Sequence, residues 1–411
     1  TRGAKSVAIG GDALANQNFT TASTSFNTAV GYSAGKNINT GQSNSLVGYE
    51  SGKSLTTGFA NTVLGSAALS TEDTGRYNVA IGAGALENQN SDVDNYNVAV
   101  GYNAGNDVTT GVSNTLIGSV AGEKITEANY NVGVGHFALA ADTKGSNSVA
   151  LGYGALSSQN FTTATDANNV AIGFSSGSQI TTGIQNTLVG KDAGRLLTEG
   201  GGNVAVGIQA LETDKKGSHS TAVGNGALFA QNFTTATDAF NTAIGYAAGN
   251  ASTTGKFNTF IGANSGANET TGQRSVALGY GSLATQNFTG SQISYNTAVG
   301  YGAGGSVTSS IHNTLIGYTA GNALSSGEQN TAVGSFALAS DDDGSFSTAI
   351  GYAALNSQNM ASTATISYNT AVGHTAGANV TVGRNNTFIG AAAGDLITEP
   401  SDNTAVGAFA L

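Results

Sequence analysis

The 411-residue chain has no cysteine, no tryptophan, one proline and one methionine, and only 9% of its residues are charged. Each shortage removes a class of protein. Without cysteine there is no disulfide scaffold and no thiolate metal site, so stability has to come from packing. A single proline, Pro400, with glycine not at every third position, rules out a collagen helix. The balance of 14 Lys and Arg against 25 Asp and Glu gives a formal net charge of −11. Nothing in that balance would hold a phosphate backbone by counterion release, so nucleic acid is not an expected partner. No apolar run is long enough to span a bilayer, and no signal peptide or lipidation motif is found. Membrane insertion by this segment is therefore not expected.

Glycine, by contrast, occurs 60 times, and much of it closes one recurring five-residue stretch. Asn27-Thr28-Ala29-Val30-Gly31 returns with small changes from Ser6–Gly10 through to Asn403–Gly407, 23 copies in all. With the closing glycine as position 0, position −4 is Asn in 18 copies and Ser in 5, and position −1 is always Val, Ile or Leu. Position −2 is mostly Ala, with Leu or Phe in six copies. A short β-branched stretch ending in glycine and repeated at a fixed period predicts one strand per coil of a β-solenoid or β-roll.

Sixteen of the 22 intervals between closing glycines are 17 residues; those that start at Gly10, Gly82, Gly152, Gly224, Gly279 and Gly351 are 19, 21 or 22. Insertions at set places are what stacked coils require, with the extra residues bulging out as a loop. A second rule runs through the 17-residue coils. Where position +4 is Gly, as at Gly35, Gly52, Gly105 and Gly122, position +7 is aliphatic: Ile38, Leu55, Val108, Ile125. Where +4 is Leu, as at Leu69, Leu139, Leu211 and Leu338, position +7 is Glu72, Asp142, Asp214 or Asp341. One large apolar group per coil is kept, as a core of constant volume demands. The rule fails at Ser252 and Glu269. Gly at +10 (Gly41, Gly58, Gly111, Gly183) is expected at a turn with positive φ.

By coil type the chain reads as one continuous domain, 1–411, whose four-coil super-repeats start near residues 10, 82, 152, 224, 279 and 351. The unit from Gly224 is one coil short. With the pattern running by Ser6 and still running at Leu411, the sequence reads as a segment of a longer chain. At the usual strand spacing, 23 coils predict a rod of roughly 110 Å.

Positions −3 and −1 of the strand face one way and −4 and −2 the other. Both faces carry apolar residues, so both need cover. The coil's own interior covers one, and identical chains around an axis are the expected cover for the other. The alternative is a single wider solenoid with every −2 side chain pointing inward.

The runs Asn-Thr-Ala-Val-Gly-Tyr-Ser-Ala-Gly (27–35) and Asn-Thr-Leu-Ile-Gly-Tyr-Thr-Ala-Gly (313–321) resemble the head repeats of YadA-type trimeric autotransporter adhesins. With the connecting Thr-Thr-Gly of 56–58 and 109–111 they resemble still more the roll repeats of bacteriophage tail fibres. The resemblance covers essentially the whole chain. It implies a homotrimeric, left-handed β-roll fibre that presents a surface to a host cell, located outside the cell on a virion or, alternatively, on a bacterial surface. The 17-residue coil is longer than the usual adhesin coil.

Little in the sequence suggests chemistry. His136, His219, His312 and His374 occupy different coil positions without metal-ligand spacing, and no Ser/His/Asp set can be assembled, so an enzyme is not expected. Gly200-Gly201-Gly202 lacks the Lys-Ser/Thr ending of a phosphate loop. No cofactor is expected. The acidic turns Asp341-Asp342-Asp343 and Glu72-Asp73 have ligands for Ca²⁺, but the calcium-roll repeat is absent and solvated turns are the expected reading. Thr pairs at +8 and +9, such as Thr56-Thr57 and Thr109-Thr110, form an array of the kind that matches ice, yet adjacent threonines do not point one way. Phe19, Phe161, Phe233 and Phe288 sit in the long-coil loops beside amides, a combination suited to a host glycan. The competing expectation is that each ring closes its own loop. The function expected is a structural or adhesive fibre shaft, of a phage tail fibre or similar appendage or else of a bacterial adhesin. A protein receptor on the host, or a monomeric solenoid binding ice or calcium, are further alternatives.

Overall fold

The computed structural model describes residues 3–20, 23–290, 292–360 and 365–411. The chain divides by its internal contacts into two units, Thr1–Asn203 and Val204–Leu411. Each is a parallel β-solenoid with one strand per coil and about 17 residues per turn, some 23 coils in all, and among the described residues there is no helix.

The first unit carries eleven of the repeated strands, from Val7–Ile9 to Thr187–Val189, and the second carries twelve, from Val204–Val206 to Thr404–Val406. Each strand is positions −3 to −1. It pairs in register with its neighbours, so that each coil position stacks on the same position of the next coil: Ala29 lies opposite Leu46, and Ala298 opposite Leu315. The closing glycine then turns the chain out of the strand. At Gly10 φ is 125°, and a Cβ built there would lie 2.6 Å from the carbonyl oxygen of Gly31 one coil on. Only glycine meets both the backbone angle and the close approach.

The core is a set of columns. Position −2 (Ala29, Leu46, Phe260) and the Ala at +3 (Ala34, Ala68) are buried. So is the large group at +4 or +7: Leu69, Leu139, Leu211 and Leu338 in one coil type, and Ile38, Leu55, Val108 and Ile125 in the other. The swap seen in the sequence is a swap within one core. Position +4 is left-handed in both types, with φ of 55° at Gly35 and 47° at Leu69. Leucine there accepts about 1–2 kcal/mol of backbone strain, which burial of its side chain, worth roughly 1.5–3 kcal/mol, offsets.

The expectation for the +10 glycines needs correction. Gly41, Gly58, Gly111 and Gly183 are not in the left-handed region. They are required for space: a Cβ on Gly41 would lie 2.5 Å from the Gly58 carbonyl oxygen, because successive coils touch backbone to backbone at this corner. In the long coils whose loops are fully described the extra residues leave the stack and rejoin it through a parallel bridge, a single pair at Arg76 and Asp94 and two residues in the other two. Thr165–Asp166 pairs with Gly145–Ser146 in the first unit, and Thr237–Asp238 with Gly217–Ser218 in the second.

Candidate interaction surface

What each coil shows to solvent depends on what it holds inside. The −4 asparagines point inward and are buried, apart from Asn403 in the last coil, which is half-buried. Asn44 donates from Nδ2 to the Gly58 carbonyl at 2.9 Å, while Oδ1 of Asn27 accepts from both the backbone N–H (2.9 Å) and Nδ2 (3.2 Å) of Asn44. The same set recurs at Asn61, Asn114 and Asn186 in the first unit and at Asn313 and Asn386 in the second. This amide ladder satisfies the backbone groups that the strand leaves at its N-terminal corner. It also fixes which way the strand faces.

At the long coils the ladder changes composition. Position +7 there is always glutamine: Gln17, Gln89, Gln159, Gln231, Gln286 and Gln358. Asn169 donates to Oε1 of Gln159 at 2.9 Å, and Nε2 of Gln159 donates to Asp142, the +7 residue of the preceding coil, at 2.6 Å. Asp142 also accepts from the backbone N–H groups of Gly145 and Phe161. Glu72, Asp214, Glu269 and Asp341 are held by Gln89, Gln231, Gln286 and Gln358 in the same manner. All five acids are buried, so Glu72 and Asp341 are not solvated turn residues as the sequence suggested. Burial pushes the carboxyls of Glu72, Asp142 and Asp341 above the usual range, with the amide and backbone donors pulling the other way.

The acid is therefore set by the glutamine that follows it, and the leucine in its own coil is incidental. Glu269 makes this plain: its coil has Gly266 at +4, and the acid is present because a long coil comes next. Gly272 N–H, at 2.6 Å, and Gln286 Nε2 hold it. The other exception, Ser252, is buried in the aliphatic place with no hydrogen-bond partner for its hydroxyl. Volume there is supplied by Phe260, whose ring lies against Gly249 and Gly266.

The remaining sequence candidates are also placed. Phe19, Phe161, Phe233 and Phe288 are 5%, 6%, 5% and 1% exposed, with their rings turned into the loop bases. The +8 threonine hydroxyls are spent on carbonyls of the next coil, as Thr109 on Thr126 and Thr253 on Thr270. His136 stacks on Phe137, His312 on Tyr295 and His374 on Tyr352, and His219 faces Asp238 at 3.0 Å. Among the described residues no three His, Asp or Glu side chains group as a metal site, and no helix is long and apolar enough to cross a membrane.

The outward strand face stands out instead. Position −1 is aliphatic in every coil, and position −3 is Thr, Val or Ser; none of these positions carries a charge. Inside each unit these columns lie on the surface, with Val47, Leu64 and Ile117 of the first unit and Ile244, Leu278 and Ile316 of the second all exposed. Two aromatic columns border the face. One is position +1, as Tyr32, Tyr49 and Tyr301; the other is the residue before the −4 amide, as Tyr77, Tyr96 and Phe240. Neighbouring rings stack along each column, Tyr77 on Tyr96 at 5.0 Å and Tyr280 on Tyr301 at 5.2 Å between centroids. Sequence reasoning identified both faces of the strand but not the inward role of the asparagines. The signal was present in the five Ser-for-Asn exchanges at −4, each in a long coil, where the Gln amide reaches the Ser hydroxyl, as Gln159 does Ser148 at 3.2 Å.

Fold and surface together define a parallel β-solenoid of tandem coils with an uncharged apolar strand face. No protein-family model matches the sequence, and no curated protein matches it significantly.

Proposed function

We propose that the chain is a structural fibre segment that works as a homotrimer, its copies packed through the strand face. The observation that carries this is the uncharged −3 and −1 columns on the outside of both units. A soluble monomer does not keep exposed a contiguous apolar stripe as long as the eleven or twelve strands of either unit make. The bordering tyrosine columns suit the rim of such an interface, where an apolar ring meets a wet edge. The resemblance of the repeats to phage tail-fibre rolls favours a virion appendage that holds or forms a host-attachment surface outside the cell. A bacterial trimeric adhesin is the second reading, favoured by the likeness of 27–35 to adhesin heads. The role is mechanical rather than catalytic, with weak contacts to a host glycan or protein multiplied along the repeat.

Light scattering at several concentrations tests the assembly. The expected mass is near three times 40.6 kDa. A stable monomer across the concentration range would overturn the proposed interface.

A further inference from the structure

Tyrosine is confined to few places in the coil. All 14 tyrosines fall in the two columns that border the strand face, and all 14 are exposed. Stacking brings some of them together and leaves others alone. Tyr32 lies on Tyr49 with centroids 5.7 Å apart and planes 14° from parallel. Tyr77 lies on Tyr96 at 5.0 Å and 4°. Tyr301 lies between Tyr280 at 5.2 Å and Tyr318 at 5.4 Å. Tyr102, Tyr130 and Tyr246 are as exposed or more so, at 58%, 61% and 62%, but the residues one coil away in their columns are not tyrosines.

We propose that the four stacked tyrosine pairs are sites of oxidative coupling, which would staple adjacent coils of one chain through dityrosine. The in-register ladder does the positioning. Two phenols one coil apart are held side by side without cost at the moment of reaction. The oxidant is a one-electron acceptor from outside the chain, of the class of a haem peroxidase working on hydrogen peroxide. Each phenol gives up one electron and its hydroxyl proton. The two phenoxyl radicals join through one ortho carbon each, and the ring hydrogens at the new bond move back to the oxygens. The pair loses two hydrogens in total, and one peroxide is reduced to two waters.

Composition supports the selectivity. With no cysteine and no tryptophan, and with Met360 buried, tyrosine is the most readily oxidised side chain that a surface oxidant meets. Radicals formed on the Tyr280–Tyr301–Tyr318 run stay among stacked neighbours that are competent to couple.

The test is treatment of the purified full chain with horseradish peroxidase and hydrogen peroxide, read by dityrosine fluorescence on a denaturing gel and by peptide mass spectrometry. Fluorescence is expected in the band of single-chain mass, with linked peptides two hydrogens light joining 32 to 49, 77 to 96, 280 to 301 and 301 to 318. Tyr49→Phe should remove the first link and leave the other three; Tyr301→Phe should remove the last two. Linkage through Tyr102, Tyr130 or Tyr246 as often as through the stacked seven would overturn the proposal. So would fluorescence confined to bands of twice the chain mass, or an unchanged set of links in denaturant. The linked-peptide readouts do not depend on whether the chain is a trimer, since the paired rings belong to one chain.

Discussion

Nε2 of Gln159 lies 2.6 Å from Oδ2 of Asp142, a hydrogen bond that crosses from a long coil to the coil before it. Behind the glutamine the side-chain amides run in one sense, Asn186 donating to Asn169 and Asn169 to Gln159. The carboxylate thus sits at the donor end of an aligned row of amide dipoles, as an acid does at a helix N-terminus.

Asp142→Ala should destabilise the first unit by about 3 kcal/mol, because it strands the Gly145 and Phe161 N–H groups and the Gln159 amide in the interior. Asp142→Asn should cost less, since one acceptor oxygen remains. Thermal melts of the two variants beside the parent would check the order; a neutral Asp142→Ala would mean that water replaces the carboxylate.

The pH dependence has a definite sign. In the folded chain Glu72, Asp142 and Asp341 hold their protons to higher pH than in the unfolded chain. Their contribution is complete below roughly pH 4, where both states are protonated, and is lost as pH rises through the raised values. The melting temperature should therefore climb as pH is lowered from 7 to 5. The triple variant Glu72→Gln, Asp142→Asn, Asp341→Asn should show a flatter profile. An equal slope in parent and triple variant would assign the effect to general charge repulsion instead.

Adjacent residues of one strand should respond to the same substitution in different ways. Ala29 is fully buried, so Ala29→Asp places a charge in the core and should unfold its coil. Val30 points outward and is only half-buried, so Val30→Asp should leave the solenoid's circular dichroism intact and lower the mass measured by light scattering. Loss of structure in both variants would remove the distinction between inner and outer faces.

Ser252→Ala deletes a buried hydroxyl that has no partner, and should stabilise the second unit by about 1 kcal/mol. Lower stability by denaturant titration would show that the hydroxyl is satisfied in solution.

Much of the fold was legible from columns of the repeat. The strand, its period, the loop-bearing coils and the exchange between Leu69 and residues such as Ile38 follow from one requirement, a constant core, that every coil must meet alone. What escaped involves two coils at once. Asn44 has a role only with Asn27 and Gly58, and Asp142 only with Gln159, so neither is read from its own coil. Gly41 was assigned to a turn because a missing Cβ signals either an unusual φ or a close neighbour, and the sequence does not say which. The phenylalanines of the loops were ambiguous for a similar reason: exposed and inward rings leave the same letter.

The bond between Gln159 and Asp142 also limits how such a chain can change its length. Unequal recombination among near-identical repeats can remove any number of coils, but a product with the glutamine and without an acid before it carries an orphaned amide. The short super-repeat from Gly224 to Gly279 has lost a whole coil and still has Glu269 in the place that Gln286 needs. Length variants of this chain should be inherited as blocks whose edges fall between such partners, with the join visible as an acid that has come to occupy a different kind of coil.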